Sequence, residues 1–222
     1  MIPLFSIIVP LYNKENFIAE TLRSITRQSC QDFELIVVDD CSTDNSLRLV
    51  NSLQIQRIQI ICHKTNKGLS ATRNTGIQQA KGKLITMLDA DDRWHHTFLS
   101  CIAKMIEDFP NASIFGTGYN ELHPNGKKMW AKPKLPLFKE NNSFIIPDFF
   151  KYSLGMPLYC QSSIAYKRKV IEEVEGFNEK IKYSEDIDFF IRINLKFKSA
   201  YHHGPLCDVR VGGPGQMTVV KL

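Results

Sequence analysis

The chain lacks cysteines at metal or redox spacing, a long apolar run, and a glycine-rich turn after its first strand-like segment. Its six cysteines (Cys30, Cys41, Cys62, Cys101, Cys160 and Cys207) are scattered without a CxxC pair. That spacing argues against a zinc site or a disulfide framework and reads as reduced packing residues. No apolar run approaches the roughly 18 residues that cross a bilayer, and residues 1–10 carry neither the basic flank nor the cleavage site of a signal peptide. A cytoplasmic location is the expectation. The formal charge of +5 over 222 residues is too mild to point to nucleic acid, although it suits an anionic substrate or an anionic membrane surface.

The missing glycines exclude two common phosphate sites. A dinucleotide-binding domain needs GxGxxG after its first strand, and this chain has PLYNKEN at 10–16 instead. A P-loop needs GxxxxGK and then Ser or Thr after a strand; the nearest approach, Gly76 to Leu84, has one residue too many, ends in Leu and precedes a strand.

What is present is a repeating pattern. Residues 5–9, 33–38, 57–62 and 84–88 are short runs rich in Ile and Val, each read as a strand. Between them Ile18, Leu22 and Ile25 share a helical face, as do Leu47 and Val50, and a further helix runs from Leu69 to Ala80. Strands alternating with helices predict an α/β fold: a Rossmann-like, mostly parallel sheet flanked by helices, followed by a smaller mixed part. Residues 1–110 form the first half and 111–222 the second, as one continuous domain. After Asp92 the pattern predicts a helix from Phe98 closed by Pro110, a strand over 112–119, a turn at 123–126, helices over 141–154, 166–175 (stopped by Gly176) and 184–197, and a strand over 206–211.

Ligands of such sheets bind outside the carboxyl ends of the strands. There the chain places Pro10, Tyr12 and Asn13, then Asp39 and Asp40, then Asp89, Asp91 and Asp92. The last three end the run LITMLDADD, where crowded carboxylates repel one another unless they meet a cation. Magnesium and manganese prefer oxygen ligands, and magnesium is commonly held by one or two carboxylates plus substrate phosphates. In extended geometry Asp89 and Asp91 point to the same side, so one can meet a metal and the other a sugar hydroxyl or metal-bound water. The alternative is an acidic turn capping a helix that begins near His95.

Four segments in order, FSIIVPLYNKENFIAETLRSI, FELIVVDDCSTDNS, NKGLSATRNTGIQQAKGKLITMLDADD and SEDIDFFIR, give the chain a resemblance to the inverting family 2 glycosyltransferases of the GT-A fold. The resemblance implies a nucleotide-diphosphate sugar donor, with a uridine nucleotide favoured, and Mn2+ or Mg2+ as cofactor. It places Pro10 and Tyr12 at the nucleobase, Asp39 on the base, Arg73 on the nucleotide side, Asp89 with Ala90 at the ribose, and Asp91 on the metal. It also makes Asp186 the base that deprotonates the acceptor hydroxyl, with Glu185 orienting the site or the acceptor. Read without it, Ser184 before two acids is a good helix start. The processive polysaccharide synthases that the chain also resembles carry a QxxRW segment and transmembrane helices, absent from this sequence. Transfer of one sugar to a saccharide or lipid-linked acceptor, in surface polysaccharide or glycoconjugate synthesis, is therefore the expectation.

Two other function classes compete. A nucleotidyltransferase also uses carboxylate-bound magnesium, but ordinarily with a glycine-rich basic loop where PLYNKEN stands. A non-catalytic sugar-nucleotide binder would keep Asp39 and Asp91 without acceptor chemistry. Over residues 122–139, Lys127, Lys128, Lys132, Lys134 and Lys139 interleave with Trp130 and Phe138 and no acid. That segment reads as a solvated basic loop, or as a peripheral contact with the inner face of a membrane. Arg210 and Thr218 are assigned to a loop that closes over the diphosphate. Trp94 is expected to pack beneath the acidic turn, and Asp92 to be an acid at the start of the next helix.

Overall fold

The computed structural model describes residues 2–133, 135, 139–154 and 157–212; Lys134, Phe138 and Thr218 lie outside them. The first half alternates β1 (Phe5–Leu11), α1 (Ile18–Thr26), β2 (Phe33–Asp39), α2 (Ser46–Ser52), β3 (Ile58–Cys62), α3 (Leu69–Gln79) and β4 (Leu84–Met87). β1 pairs in parallel with β2 and β4, and β2 with β3. The resulting order, β3-β2-β1-β4, brings the four carboxyl ends to one edge of the sheet.

β1, β4 and most of β2 are buried on both faces, which explains their near-continuous apolar sequences, while β3 at the sheet edge is partly exposed. Phe5, Ile7, Val9 and Leu11 pack with Ile18, Leu22 and Ile25 of α1 on one side, while Ile8, Ile36 and Met87 belong to the core on the other. Each such side chain removed from water contributes about 1.5–3 kcal/mol. α3 is built differently, from small residues rather than an apolar stripe. A Cβ at Gly76 would run into the Ile8 side chain, so this helix lies close on β1 and carries the buried Arg73 beneath the strand ends.

The first half closes with β5 (Arg93–Trp94) and α4 (Phe98–Asp108), and the second comprises β6 (Ile114–Leu122), β7 (Lys128–Trp130), β8 (Ser143–Ile145), α5 (Phe149–Tyr152), β9 (Ile164–Lys167), α6 (Arg168–Val174), α7 (Glu185–Lys196) and β10 (Ser199–Arg210). β9 runs antiparallel to both β4 and β6, and β10 runs parallel to β6. One sheet thus passes through both halves, and the predicted α/β class holds, with a parallel block extended by mixed strands. Among the described residues no helix is long and apolar enough to cross a membrane.

Several second-half elements differ from expectation. The helix predicted over 141–154 is the strand β8 and the single turn α5. Pro147 biases Ile146 away from helical geometry, and Asp148 starts the helix anew by accepting from Lys151 N. The helix predicted over 166–175 begins only at Arg168, because Ile164–Lys167 is taken up as β9 between β4 and β6. Its stop is as expected: Glu175 and Gly176 both take positive φ, 60° and 76°, the left-handed geometry that ends helices. The helix expected from Phe98 does start there, and because Arg93 and Trp94 first pair with β10 the alternative of an acidic turn capping a helix near His95 falls away. The terminal strand is longer than predicted and reaches back to Ser199.

Candidate active site at the carboxyl ends of the strands

Pairing of Leu11 with Asp39 brings the ends of β1 and β2 together, so Pro10, Tyr12 and Asp39 are neighbours. Pro10 is buried and Tyr12 is exposed just beyond the strand. Asp39 Oδ2 accepts from Ser42 N at 3.2 Å, whereas Oδ1 is buried with no hydrogen-bond partner among the described residues. An orphaned acceptor of this kind is costly unless a ligand donor meets it. Asp40 has a different task. Its carboxylate accepts from Lys67 N and Gly68 N, both at 2.8 Å, and so fixes the start of α3.

β4 ends at Met87, and the next residues form the acidic turn. Asp89 meets Arg73 Nη2 at 3.0 Å, and Arg73 Nη1 donates to Glu185 Oε1 at 2.7 Å. Arg73 is 2% exposed and joins the acidic turn to the first residue of α7. Arg73, expected on the nucleotide side, has both its Nη atoms taken by the Asp89 and Glu185 carboxylates. Asp186 is half-buried, and its Oδ1 accepts from Ile187 N at 2.9 Å. Burial pushes the Tyr119 phenol up, and nearby Cys160, Glu121, Tyr201 and Asp186 add to the effect.

Asp91 sits 2.6 Å from the Lys14 ammonium, with its side chain 10% exposed. Ala90 is buried, and its carbonyl lies 2.9 Å from the Thr21 hydroxyl. Asp92 corrects the expectation of a helix-start acid. It is buried, accepts from Ser162 Oγ at 2.6 Å and from Arg210 N at 3.0 Å, and braces the turn from below. Burial, then the charges of Asp89 and Asp91, push its carboxyl well up. Ser162 Oγ also accepts from Asp89 N at 3.1 Å. Trp94 is buried as expected, stacked on Phe98 and donating to Ser162 O at 2.6 Å. Sequence reasoning missed Ser162 and Thr21, which carry no motif, and gave no role to Lys14 although it stands inside PLYNKEN.

Arg210 donates to Asp91 O at 2.9 Å, pairs with Glu20 and lies over the Phe17 ring. It thus ties β10 to the acidic turn. In the basic segment, Lys128 pairs with Asp208 and Lys132 with Glu140, so two of its lysines are already neutralised.

Can these residues hold a divalent cation? Asp91 already takes a positive charge, the Lys14 ammonium, on Oδ2. No cluster of three or more His, Cys, Asp or Glu side chains suited to a metal occurs among the described residues. A single carboxylate fits a cation that takes its remaining ligands from substrate phosphates and water. The donor set is compatible with Mn2+ or Mg2+.

The sequence model of the family described as glycosyl transferase family 2 matches residues 6–175. The chain belongs to that family. As a glycosyltransferase domain it is 28% identical to a hyaluronan synthase of Pasteurella multocida over 225 aligned positions, covering 100% of this chain and 22% of the relative. A chondroitin synthase of P. multocida strain Pm70 is 29% identical, with 95% and 21% covered. The chain therefore spans about a fifth of the length of these curated relatives. Among solved structures, S. aureus TarS 1-349 in complex with UDP superposes with a TM-score of 0.77 at 25% identity, over 94% of this chain and 60% of that one. The fold also matches mannosyltransferase PcManGT from Pyrobaculum calidifontis in complex with GDP-Man and Mn2+, with a TM-score of 0.69 at 20% identity, over 97% and 59%.

Proposed function

We propose that the chain transfers one sugar from a nucleotide-diphosphate sugar to an acceptor hydroxyl, with inversion and with a divalent cation. The observation that carries this reading is the Arg73 bridge. By holding Asp89 and Glu185 at once, it puts the donor-side acid and the α7 terminus that bears Asp186 into one site. Asp39, with its orphaned oxygen, recognises the base, beside Pro10 and exposed Tyr12. Asp89 and Ala90 lie at the ribose, and Asp91 holds Mn2+ or Mg2+. When bound, that cation is a Lewis acid for the departing diphosphate.

Asp186 takes the proton of the acceptor hydroxyl as its oxygen attacks the anomeric carbon, one displacement that inverts the centre. Glu185 fixes the helix start through Arg73. The binding of UDP by TarS supports a uridine nucleotide, and the names of the two synthases support polysaccharide synthesis with a saccharide acceptor; a lipid-linked acceptor at the inner face of the membrane is the finer part of the proposal. Family membership leaves the nucleotidyltransferase alternative without support.

A thermal-shift comparison of UDP and UDP-sugars, with and without Mn2+, tests the donor assignment. Stabilisation that requires Mn2+ and vanishes in Asp91→Asn is expected; stabilisation indifferent to metal would overturn the Asp91 role. With a competent acceptor, Asp186→Asn is expected to bind donor normally and lose about 100-fold or more of turnover. Equal turnover would remove Asp186 as base, and no turnover by either protein would favour the non-catalytic binder.

A further inference from the structure

We propose that the outer face of α7, with the neighbouring α5 turn, is a docking surface for an anionic lipid bilayer. Over residues 180–198 the exposed residues are Lys180, Lys182, Tyr183, Ser184, Ile187, Ile191, Leu195, Lys196 and Lys198. Four are large apolar side chains, four are lysines, and none is an acid. Asp186 and Asp188 are only half-exposed, and Asp188 is paired with Arg192. An ordinary surface helix turns its apolar residues to the core and mixed charges to water. This one has a second apolar row facing outward.

The row is regular. Ile187, Ile191 and Leu195 are 55%, 42% and 69% exposed, and each step of four residues drifts only about 40° around the helix. The buried face is supplied by Phe189, Phe190 and Ile193, so the outward row is surplus to the core. Next to it, Asn194 donates to Tyr159 Oη at 2.6 Å and Tyr159 stacks on Phe149. That contact sets α5 beside the row. Within 149–154 the exposed residues are Phe150, Lys151 and Leu154, the same pairing of large apolar groups with lysine.

Charge selects the occupant. Lysine is depleted in protein interfaces, and a symmetric contact between two copies would set lysines against lysines. Apolar side chains at the level of lipid chains, with lysines at the level of anionic headgroups, satisfy both halves of the pattern. The lysines of this surface are other than those of the basic segment 122–139, where Lys128 and Lys132 are already paired. The surface is also joined to the site, because α7 begins at Glu185. A bilayer against this face holds the acceptor side of the site at the membrane, within reach of an acceptor carried on lipid.

The test is cosedimentation of the full chain, at low salt, with vesicles of phosphatidylcholine alone or of phosphatidylcholine with one quarter phosphatidylglycerol. Pelleting with the anionic vesicles only is expected, and a double variant, Ile191→Glu with Leu195→Glu, should reduce the bound fraction at least tenfold. Retained thermal unfolding near the wild-type temperature shows that the variant is folded. A wild-type protein that stays in the supernatant with both vesicles overturns the proposal. So does a variant that pellets like the wild type, or loss of binding only on charge reversal of Lys127, Lys128 and Lys132. A wild-type dimer that the double variant splits, with vesicle binding unchanged, also overturns it in favour of a second copy. These outcomes are independent of the donor chemistry, which the Mn2+ and UDP experiment reads separately.

Discussion

Arg73 donates to Glu185 at 2.7 Å across a sequence separation of 112 residues, within a pair whose side chains are 2% and 6% exposed. The same guanidinium reaches Asp89, so one residue of α3 sets the distance between the acidic turn and α7. Removing it leaves the Glu185 carboxylate buried and unpaired. Arg73→Ala is expected to cost about 3–5 kcal/mol in urea unfolding. Arg73→Lys, which keeps the charge but not the fork, should fold with a smaller loss and show both a lower kcat and weaker donor affinity, because Asp89 and Glu185 can no longer be held together.

Asp39 offers a cleaner separation of binding from stability. Because its Oδ1 has no partner among the described residues and only Oδ2 is used by Ser42, Asp39→Asn should change unfolding by less than about 0.5 kcal/mol. Its affinity for UDP, measured by calorimetry, should fall by about tenfold or more, the value of a hydrogen bond to a charged group.

Lys14 neutralises Asp91 at 2.6 Å, in the position where a divalent cation would have to compete. Lys14→Gln removes that competition. Binding of Mn2+ to the protein without nucleotide, followed by electron paramagnetic resonance, should tighten several-fold. An unchanged or weaker affinity would mean that Lys14 contributes to the cation site rather than opposing it.

Asp208 gives the acid limb of the stability profile. Burial alone would raise its carboxyl, but bonds from Lys128, Asn120 and Arg93 outweigh that and hold it below the usual range. A carboxyl depressed in the folded state stabilises the protein above its unfolded pKa, and that stabilisation disappears as pH falls through the folded value. Asp208→Asn should therefore be less stable than wild type by about 1 kcal/mol at neutral pH, a figure reduced for the solvent-exposed partners. The gap should close below about pH 4, near and under the ordinary aspartate value. Thermal melts between neutral and acid pH measure it.

The first half of the fold was legible because its signals are local. Ile18, Leu22 and Ile25 repeat at helical spacing and are the buried face of α1; the Ile- and Val-rich runs are strands, and Leu84–Met87 delivers the aspartates to the sheet edge. β9 was hidden because Ile164–Lys167 runs without a turn into α6 and owes its extended form to β4 and β6. β10 was only half seen, since Gly204 and Pro205 interrupt its sequence where its register against β6 shifts. The brace of Asp92 by Ser162 joins residues 70 apart, and no spacing rule reports such a pair. Arg73 was singled out from its motif, but the two acids that it bonds come from opposite halves of the chain and only folding brings them together.

The antiparallel junction of β4 with β9 has a mechanical consequence. A sheet hydrogen-bonded without a seam from one half to the other leaves no hinge about which those halves could rock. Admission of donor and departure of nucleotide then fall to the segments that overhang the strand ends, so crosslinks placed between the halves should leave turnover intact while crosslinks that pin those overhanging segments should arrest it.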